Sequence, residues 1–523
     1  MRMTPKRLTV LLVPSVIFSA YYLYVGKLLE AMLVLGIAVG IVCFFIYLSR
    51  KGVPRKIDYN LVTVIFHMYS LSHGQTSPAD LVGTIAENKE YGFYSRIFQR
   101  IRKLAKDFGY GYTKATAQMA EVVKPPLKDI LVRCTTVFSS VKPKGYLEIE
   151  SSTLMEEYKG YYTLAIETLK TIGGVFTTFQ SVIVFLIMTL AIMTVFMLDP
   201  NSILYGYGVA VLAVITMYFL FRSASPRENI IYIGKYPPKL YLALKWGFFA
   251  VGPSSAVLAF FLYSSKGAPI AFIALGLGAI IPGIFGWKLE RFVGSIDKNY
   301  PTFLKALGEN LASTSDLKAA FNYILYMELG PLKKLVREAL ARLRLGLSNA
   351  ITLETLSSEA ASHEAHISNR ILLDALSRGA NPLEIGNALG NRVVTFLEFR
   401  KKRESVARNF QAIMMVMQPL TVALLVILQA LSEFLTQFLT PLPYLTLSAI
   451  PLGIIEVGNI TVVFLMAVVN ALIYKEISGG FWGTFFLTVG LLLIVSGFTW
   501  MATEILINMV FGSMPSLQPP LPV

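Results

Sequence analysis

The chain has 523 residues, 54% of them apolar and only 15% charged, with a formal net charge of +15. Soluble domains carry about 25% charged residues, so the composition argues against an ordinary water-soluble protein. The positive excess then reads as the mark of a cytoplasmic membrane face, and no nucleic-acid partner is expected.

The chain opens with a basic start (Arg2, Lys6, Arg7) and two apolar runs, 8–25 and 31–48. A bilayer takes about 20 residues of helix. A basic start before an apolar run also describes a cleaved signal peptide. The second run close behind, and the lack of a small-x-small cleavage site, favour a retained transmembrane hairpin over 1–48. A polar, basic block of 49–170 follows. Four spans are expected next, at 171–197, 203–221, 245–263 and 268–287, with a basic loop at 222–245. A second polar block, 288–411, leads into a three-helix region over 412–510, with spans at 412–431, 453–474 and 484–510. A Pro-rich tail, 511–523, closes the chain. The fold class expected is an all-α polytopic membrane protein of about nine spans with two homologous cytoplasmic helical-bundle domains.

Charge sets the orientation. With 49–170 in the cytoplasm, the N-terminus, Arg222, Arg227, Lys235, Lys239 and Lys245, the second polar block and Lys475 all fall inside. Only Lys27 and Lys266 of the 47 basic residues remain outside. The opposite orientation breaks the positive-inside rule. The tail is then extracytoplasmic.

The two polar blocks read as copies of one unit of five to six helices. Each opens with an amphipathic helix, carrying Leu61, Val64, Ile65, Met68 and Leu71 in the first copy and Phe303, Leu304, Leu307 and Leu311 in the second; the period is helical. Gly74-Gln75-Thr76-Ser77 is then matched by Ala312-Ser313-Thr314-Ser315. A second amphipathic helix is expected over 331–345, with Pro331 in its first turn and Gly346 past its end. Its apolar stripe is Leu332, Leu335, Val336, Ala339, Leu340 and Leu343. The first copy offers Ile97, Phe98, Ile101, Leu104 and Phe108. Leu147-Glu148-Ile149 echoes Leu383-Glu384-Ile385, and a charged helix then enters the membrane in both copies.

No chemistry of its own is expected. No G-K-[ST] follows a glycine-rich loop; Gly276, Gly278 and Gly283 sit in an apolar run and pack helices. No Ser/His/Asp set or H-E-x-x-H is present. His363 and His366, three apart, lack the further ligands a zinc site needs. Cys43 and Cys134 lie in an apolar run and a polar block, so no disulfide is expected between them. The reading is therefore of a chain with no catalytic residue, no cofactor and no metal, and any work draws its energy from a partner.

Three groups are candidates for function. The basic faces of the second amphipathic helices, Arg96, Arg100 and Lys103 with Lys334, Arg337, Arg342 and Arg344, suit an acidic partner, and equally an ordinary solvated face. Arg400, Lys401, Lys402, Arg403 and Arg408 lie beside a span, where basic residues meet anionic lipid. Glu456 and Glu504 are ionisable groups inside spans, near their outer ends. Asn459, Asn470, Gln418 and Gln429 are expected to join helices.

The stretch VKPKGYLEIESSTLMEEYKGYYTLAIETLKTIGGVFTTFQSVIVFLIMTLAIMTVF (141–196) and GANPLEIGNALGNRVVTFLEFRKKRE (379–404) resemble the F-domain platform family of type II secretion and type IV pilus machines. The two copies span about half the chain. Bacterial members have about three spans; the larger number here is the archaeal pattern, closest to the archaellum J-type branch. The resemblance implies a membrane platform beneath a filament of pilin-like subunits. It also implies cytoplasmic domains that dock a hexameric secretion ATPase, whose ATP-driven movement shifts the platform to assemble the filament and, in the archaellum, to support rotation. A filament axis points to a homodimer. An adhesion pilus or a secretion system is the alternative within the family. A secondary transporter with internal repeats is the alternative outside it, disfavoured because the repeat is clearest in the polar blocks and the membrane charges lie near the outer ends.

Overall fold

The computed structural model describes residues 57–140, 142–197, 201–439 and 452–511. The expected hairpin 1–48 and residues 512–523 of the tail lie outside them. The chain divides into one unit of Met1–Lys56 with Lys124–Pro126 and a second of Ile57–Val123 with Leu127–Val523.

Every regular element among the described residues lies in the second unit and is a helix. We number them α1 (Tyr59–Leu71), α2 (Pro78–Glu87), α3 (Phe93–Lys106), α4 (Gly111–Val122), α5 (Leu127–Ser139), α6 (Pro143–Met197), α7 (Asn201–Ala224), α8 (Lys239–Lys266), α9 (Ala268–Thr314), α10 (Leu317–Ile324), α11 (Leu332–Arg344), α12 (Asn349–Ala360), α13 (His363–Leu376), α14 (Pro382–Leu439), α15 (Leu452–Ser478) and α16 (Trp482–Phe511). Seven of them, α6, α7, α8, α9, α14, α15 and α16, are long and apolar enough to cross a membrane. This is a multi-pass, all-α membrane protein.

Local chemistry explains where the short helices start. Ser77 and Asp80 form a capping box ahead of α2, with Pro78 in its first turn. Asp58, Asp316, Ser348 and Ser362 accept from backbone N–H groups at the starts of α1, α10, α12 and α13. Each such cap is worth about 1 kcal/mol.

The first polar block folds as α1 to α6 and, after α7 and α8, the second as α9 to α14. The expected apolar stripes are the cores: Leu61, Val64, Ile65, Met68 and Leu71 are buried, as are Phe303, Leu304, Leu307 and Leu311 and the whole stripe of α11. As expected of the charged helices that enter the membrane, α6 and α14 run unbroken across residues 170 and 411, and α9 likewise crosses residue 287. A helix can pass from water to lipid without a joint, since its backbone groups are satisfied internally in both. Two expectations need correction. Phe108 lies past the end of α3 and is 62% exposed, off the stripe. The Leu-Glu-Ile echo is out of register: Leu147 and Ile385 are buried, whereas Ile149 and Leu383 face outward.

Among the spans, α9 and α16 approach most closely. A Cβ on Gly286 would stand 2.2 Å from Gly483 Cα, and one on Gly283 2.4 Å from Leu487 N. Small residues are what allow such contact inside a membrane. Polar side chains tie α7, α14, α15 and α16 to one another. Asn470 donates to Gln418 Oε1 (3.1 Å), Gln418 to Ser496 Oγ (3.1 Å), and Asn459 to the Leu425 carbonyl (3.0 Å) while accepting from Tyr207 (2.6 Å). Gln429 does not join helices; it donates to Glu433 of its own α14 at 3.2 Å.

Candidate functional site

α14 has 58 residues, about 87 Å at 1.5 Å per residue. Three arginines on it, Arg392, Arg400 and Arg403, are spaced eight and eleven residues from the first. At about 100° per residue they fall within one arc of about 80°. Each grips a different part of the molecule.

Arg392 is wholly buried, as is its partner Glu364 at the start of α13, 3.0 Å away. Its other terminal nitrogen donates to Tyr59 OH (3.0 Å) and Thr63 Oγ1 (2.8 Å) on α1. The guanidinium also stands 4.7 Å over the Phe396 ring. One side chain therefore joins the second repeat to the first. Glu364 stays below the usual carboxylate range: burial works against its charge, but Arg392 and Arg400 overcome it.

Two turns further on, Arg400 donates to Asp297 of α9 (2.8 Å) and to Glu364 (3.4 Å), and lies 3.8 Å from Glu228. Glu228 belongs to the segment between α7 and α8 and accepts from Tyr158 of α6 at 3.1 Å. Ser362 donates to the other Asp297 oxygen. That same segment is pinned to the α12–α13 turn by Tyr232 N to Ala361 O (2.9 Å) and His363 N to Ile230 O (3.0 Å).

Arg403 is 2% exposed. It donates to the carbonyl oxygens of Ile477 (2.6 Å) and Glu476 (2.5 Å), in the last turn of α15. A cation there satisfies orphan carbonyls and opposes the helix dipole. Gly479 follows at φ 68°, and a Cβ on it would meet the Arg403 guanidinium at 2.7 Å. Arg403 thus holds the turn between α15 and α16.

The sequence alone puts Arg400 and Arg403 at the lipid surface; the structure turns both inward, because carboxylates and helix-end carbonyls await them there. Lys401, Lys402 and Arg408 are exposed, and Arg408 pairs with Glu404 at 3.0 Å. A buried ion pair adds little net stability against an apolar replacement, yet losing one partner is costly. The cluster therefore fixes position more than it stabilises.

The four histidines of the chain line the boundary between the repeats. His67 of α1 lies 2.8 Å from Tyr91 OH and 3.4 Å from Asp374 of α13. His73 lies 3.4 Å from Glu384 of α14. His366 of α13 reaches Glu90 at 2.5 Å and stacks on Tyr232 with ring centroids 3.7 Å apart. His363 sits 5.6 Å from the Tyr59 ring, and its burial pushes its pKa down to about 4. The sequence singled out only His363 and His366, for their spacing; no local signal marks a residue whose partner lies some 300 positions away. No group of three or more His, Cys, Asp or Glu among the described residues is arranged to hold a metal.

The remaining sequence candidates divide. Arg96, Arg100 and Lys103 on α3, and Lys334, Arg337 and Arg344 on α11, are exposed. Arg344 makes one long bond to Asn322 at 3.4 Å. Arg342 is committed internally, forked onto Glu359 of α12. Asn459 and Asn470 are buried helix ties. Glu456 and Glu504 are exposed on their spans, and Glu504 accepts from Trp500 Nε1 at 2.8 Å.

Among curated proteins the chain is similar to "Flagella accessory protein J" of Methanococcus voltae. The two are 22% identical over 412 residues, covering 73% of this chain and 71% of the relative. No protein-family model matches the chain, and no solved structure does.

Proposed function

We propose that this chain is the membrane platform of an archaeal motility filament, an archaellum-type machine built on the plan of type IV pili. The likeness to flagella accessory protein J supports the archaellum setting, and the F-domain resemblance supports the platform role. One observation carries the mechanism: α14 runs unbroken from the second repeat into the membrane, gripped through Arg392 by the first repeat and through Arg403 by the α15–α16 turn. On this reading, a displacement of either polar block is passed to the spans through a helix whose contacts are buried.

On this reading the repeats lie in the cytoplasm, as the positive-inside distribution requires. The exposed basic faces of α3 and α11 dock a hexameric secretion ATPase. The chain catalyses nothing itself; ATP-driven movement of the ATPase shifts the repeats, and α6, α9 and α14 carry that shift to the membrane, where pilin-like subunits enter the filament. A homodimer beneath the filament axis completes the platform.

The test is deletion of the gene together with co-purification of the full-length chain from membranes. Loss of surface filaments and of swimming, with recovery of a secretion-type ATPase, supports the reading. Normal filaments after deletion overturn it. Loss of a surface filament with swimming intact would assign the chain to an adhesion pilus instead.

A further inference from the structure

In both polar blocks the basic amphipathic helix ends at a corner that carries a glycine. In the first, α3 ends at Lys106 and residues 107–110 lead to α4; in the second, α11 ends at Arg344 and residues 345–348 lead to α12. Each corner turns on a glycine in the left-handed region, Gly109 at φ 72° and Gly346 at φ 84°. Such a residue commonly closes a helix. Each glycine is flanked by large apolar side chains, Phe108 and Tyr110 in one copy, Leu345 and Leu347 in the other.

The residue after the glycine has a local reason to be apolar, since a helix close of this kind folds it back over the last turn. Tyr110 N bonds to the Leu104 carbonyl (3.4 Å) and Leu347 N to that of Arg342 (3.2 Å). The residue before the glycine has no such reason. Phe108 is 62% exposed and Leu345 82%. A single exposed apolar side chain is ordinary. The same arrangement at the same corner of both copies calls for a common cause.

The approach to each corner is basic. α3 carries Arg96, Arg100, Arg102, Lys103 and Lys106 with no acidic residue; α11 carries Lys333, Lys334, Arg337, Arg342 and Arg344 against Glu338 alone. An apolar tip on a basic helix matches an apolar recess on an acidic surface. We propose that the two apolar-glycine-apolar corners are paired anchor points that seat in apolar recesses of one acidic protein partner, once in each repeat. The inference rests on the platform reading and makes the docked ATPase that partner. The basic faces steer encounter and act on the on-rate, whereas the desolvated apolar tips slow release.

The test uses the full chain in nanodiscs and the purified secretion-type ATPase of the same organism, with binding measured at about 0.1 M and about 0.5 M salt, where the Debye length falls from about 10 Å to a few ångströms. The Phe108→Ser/Leu345→Ser variant changes only the two exposed side chains that precede the glycines, and its melting profile is expected to match the parent. It should bind at least tenfold more weakly at both salt concentrations. A Lys334→Glu/Arg337→Glu variant should bind more weakly than the parent at low salt and match it at high salt. Unchanged binding by the corner variant, while the parent binds, overturns the anchor proposal and leaves the platform reading standing. No binding by the parent removes both. Quenching of Leu345→Trp fluorescence by brominated lipids would seat that corner in the bilayer, and overturn the proposal in favour of a lipid surface.

Discussion

Arg403 Nε donates to the Ile477 carbonyl oxygen at 2.6 Å, so a side chain from the helix that leaves the second repeat closes the end of the penultimate described span. Replacing Arg403 by Ala leaves two buried carbonyls without their charged donor. A hydrogen bond to a charged group contributes about 1.5–3 kcal/mol, and a loss of that order in detergent unfolding is expected. Arg403→Lys should recover only part of it, because an ammonium cannot fork across two carbonyls. Equal stability of all three proteins would remove the proposed hold on the α15–α16 turn.

The Arg392–Glu364 pair makes a prediction of opposite signs for single and double changes. Arg392→Met strands a buried carboxylate and should cost about 3–5 kcal/mol. Glu364→Leu added to it should restore part of the loss, though not all, since Glu364 also faces Arg400 at 3.4 Å. A double-mutant cycle on thermal unfolding gives the coupling energy; an additive cycle would contradict the buried pairing.

Acid should loosen the boundary between the repeats. His363 has a folded-state pKa lowered from 6.5 to about 4, chiefly by burial, with Glu364 and Glu90 opposing and His366 and Arg400 assisting. The unfolded chain therefore binds more protons between those values, so stability is full above about pH 6.5 and falls as pH drops towards 4. At about 1.4 kcal/mol per pKa unit the loss is on the order of 3 kcal/mol. Glu90 adds to the same trend at lower pH: burial opposes its charge, but His366 holds it below the usual range. The His363→Phe variant should melt with a flatter dependence between pH 7 and 5. An unchanged slope would show that other groups set it.

Two glycines of α9 should respond oppositely to alanine. Gly286 has Gly483 Cα 2.2 Å from the position of a Cβ, while Gly294 has nothing within 4 Å. Gly286→Ala forces α9 and α16 apart, and overpacking of this kind costs about 1–3 kcal/mol. Gly294→Ala should be neutral or stabilising by up to about 1 kcal/mol, from the reduced freedom of the unfolded chain. Melting temperatures of both variants in one detergent decide the matter.

Charge reversal at Lys334, Arg337 and Arg344 together is expected to abolish ATPase recovery at low salt without unfolding the protein, since all three side chains are exposed. Undiminished recovery would sink docking by charge.

By itself the sequence determined the fold class and the apolar faces of its amphipathic helices. Apolar runs long enough to span, stripes such as Leu332 to Leu343, and glycine-closed helix ends are all local signals, set by solvent and backbone geometry within a few turns. Exposure of Lys334 and Arg337 follows from the same helical period. What only the tertiary structure decided is which charges face inward. Arg400 and Arg403 read as a solvated run beside Lys401 and Lys402, and a run of like charges carries no mark of its partners. Asp297, Glu364 and Ile477 lie 103, 36 and 74 residues away from the arginines they meet. The continuity of α9 across residue 287 was equally hidden, because a composition shift changes the solvent a helix meets, not its hydrogen bonds.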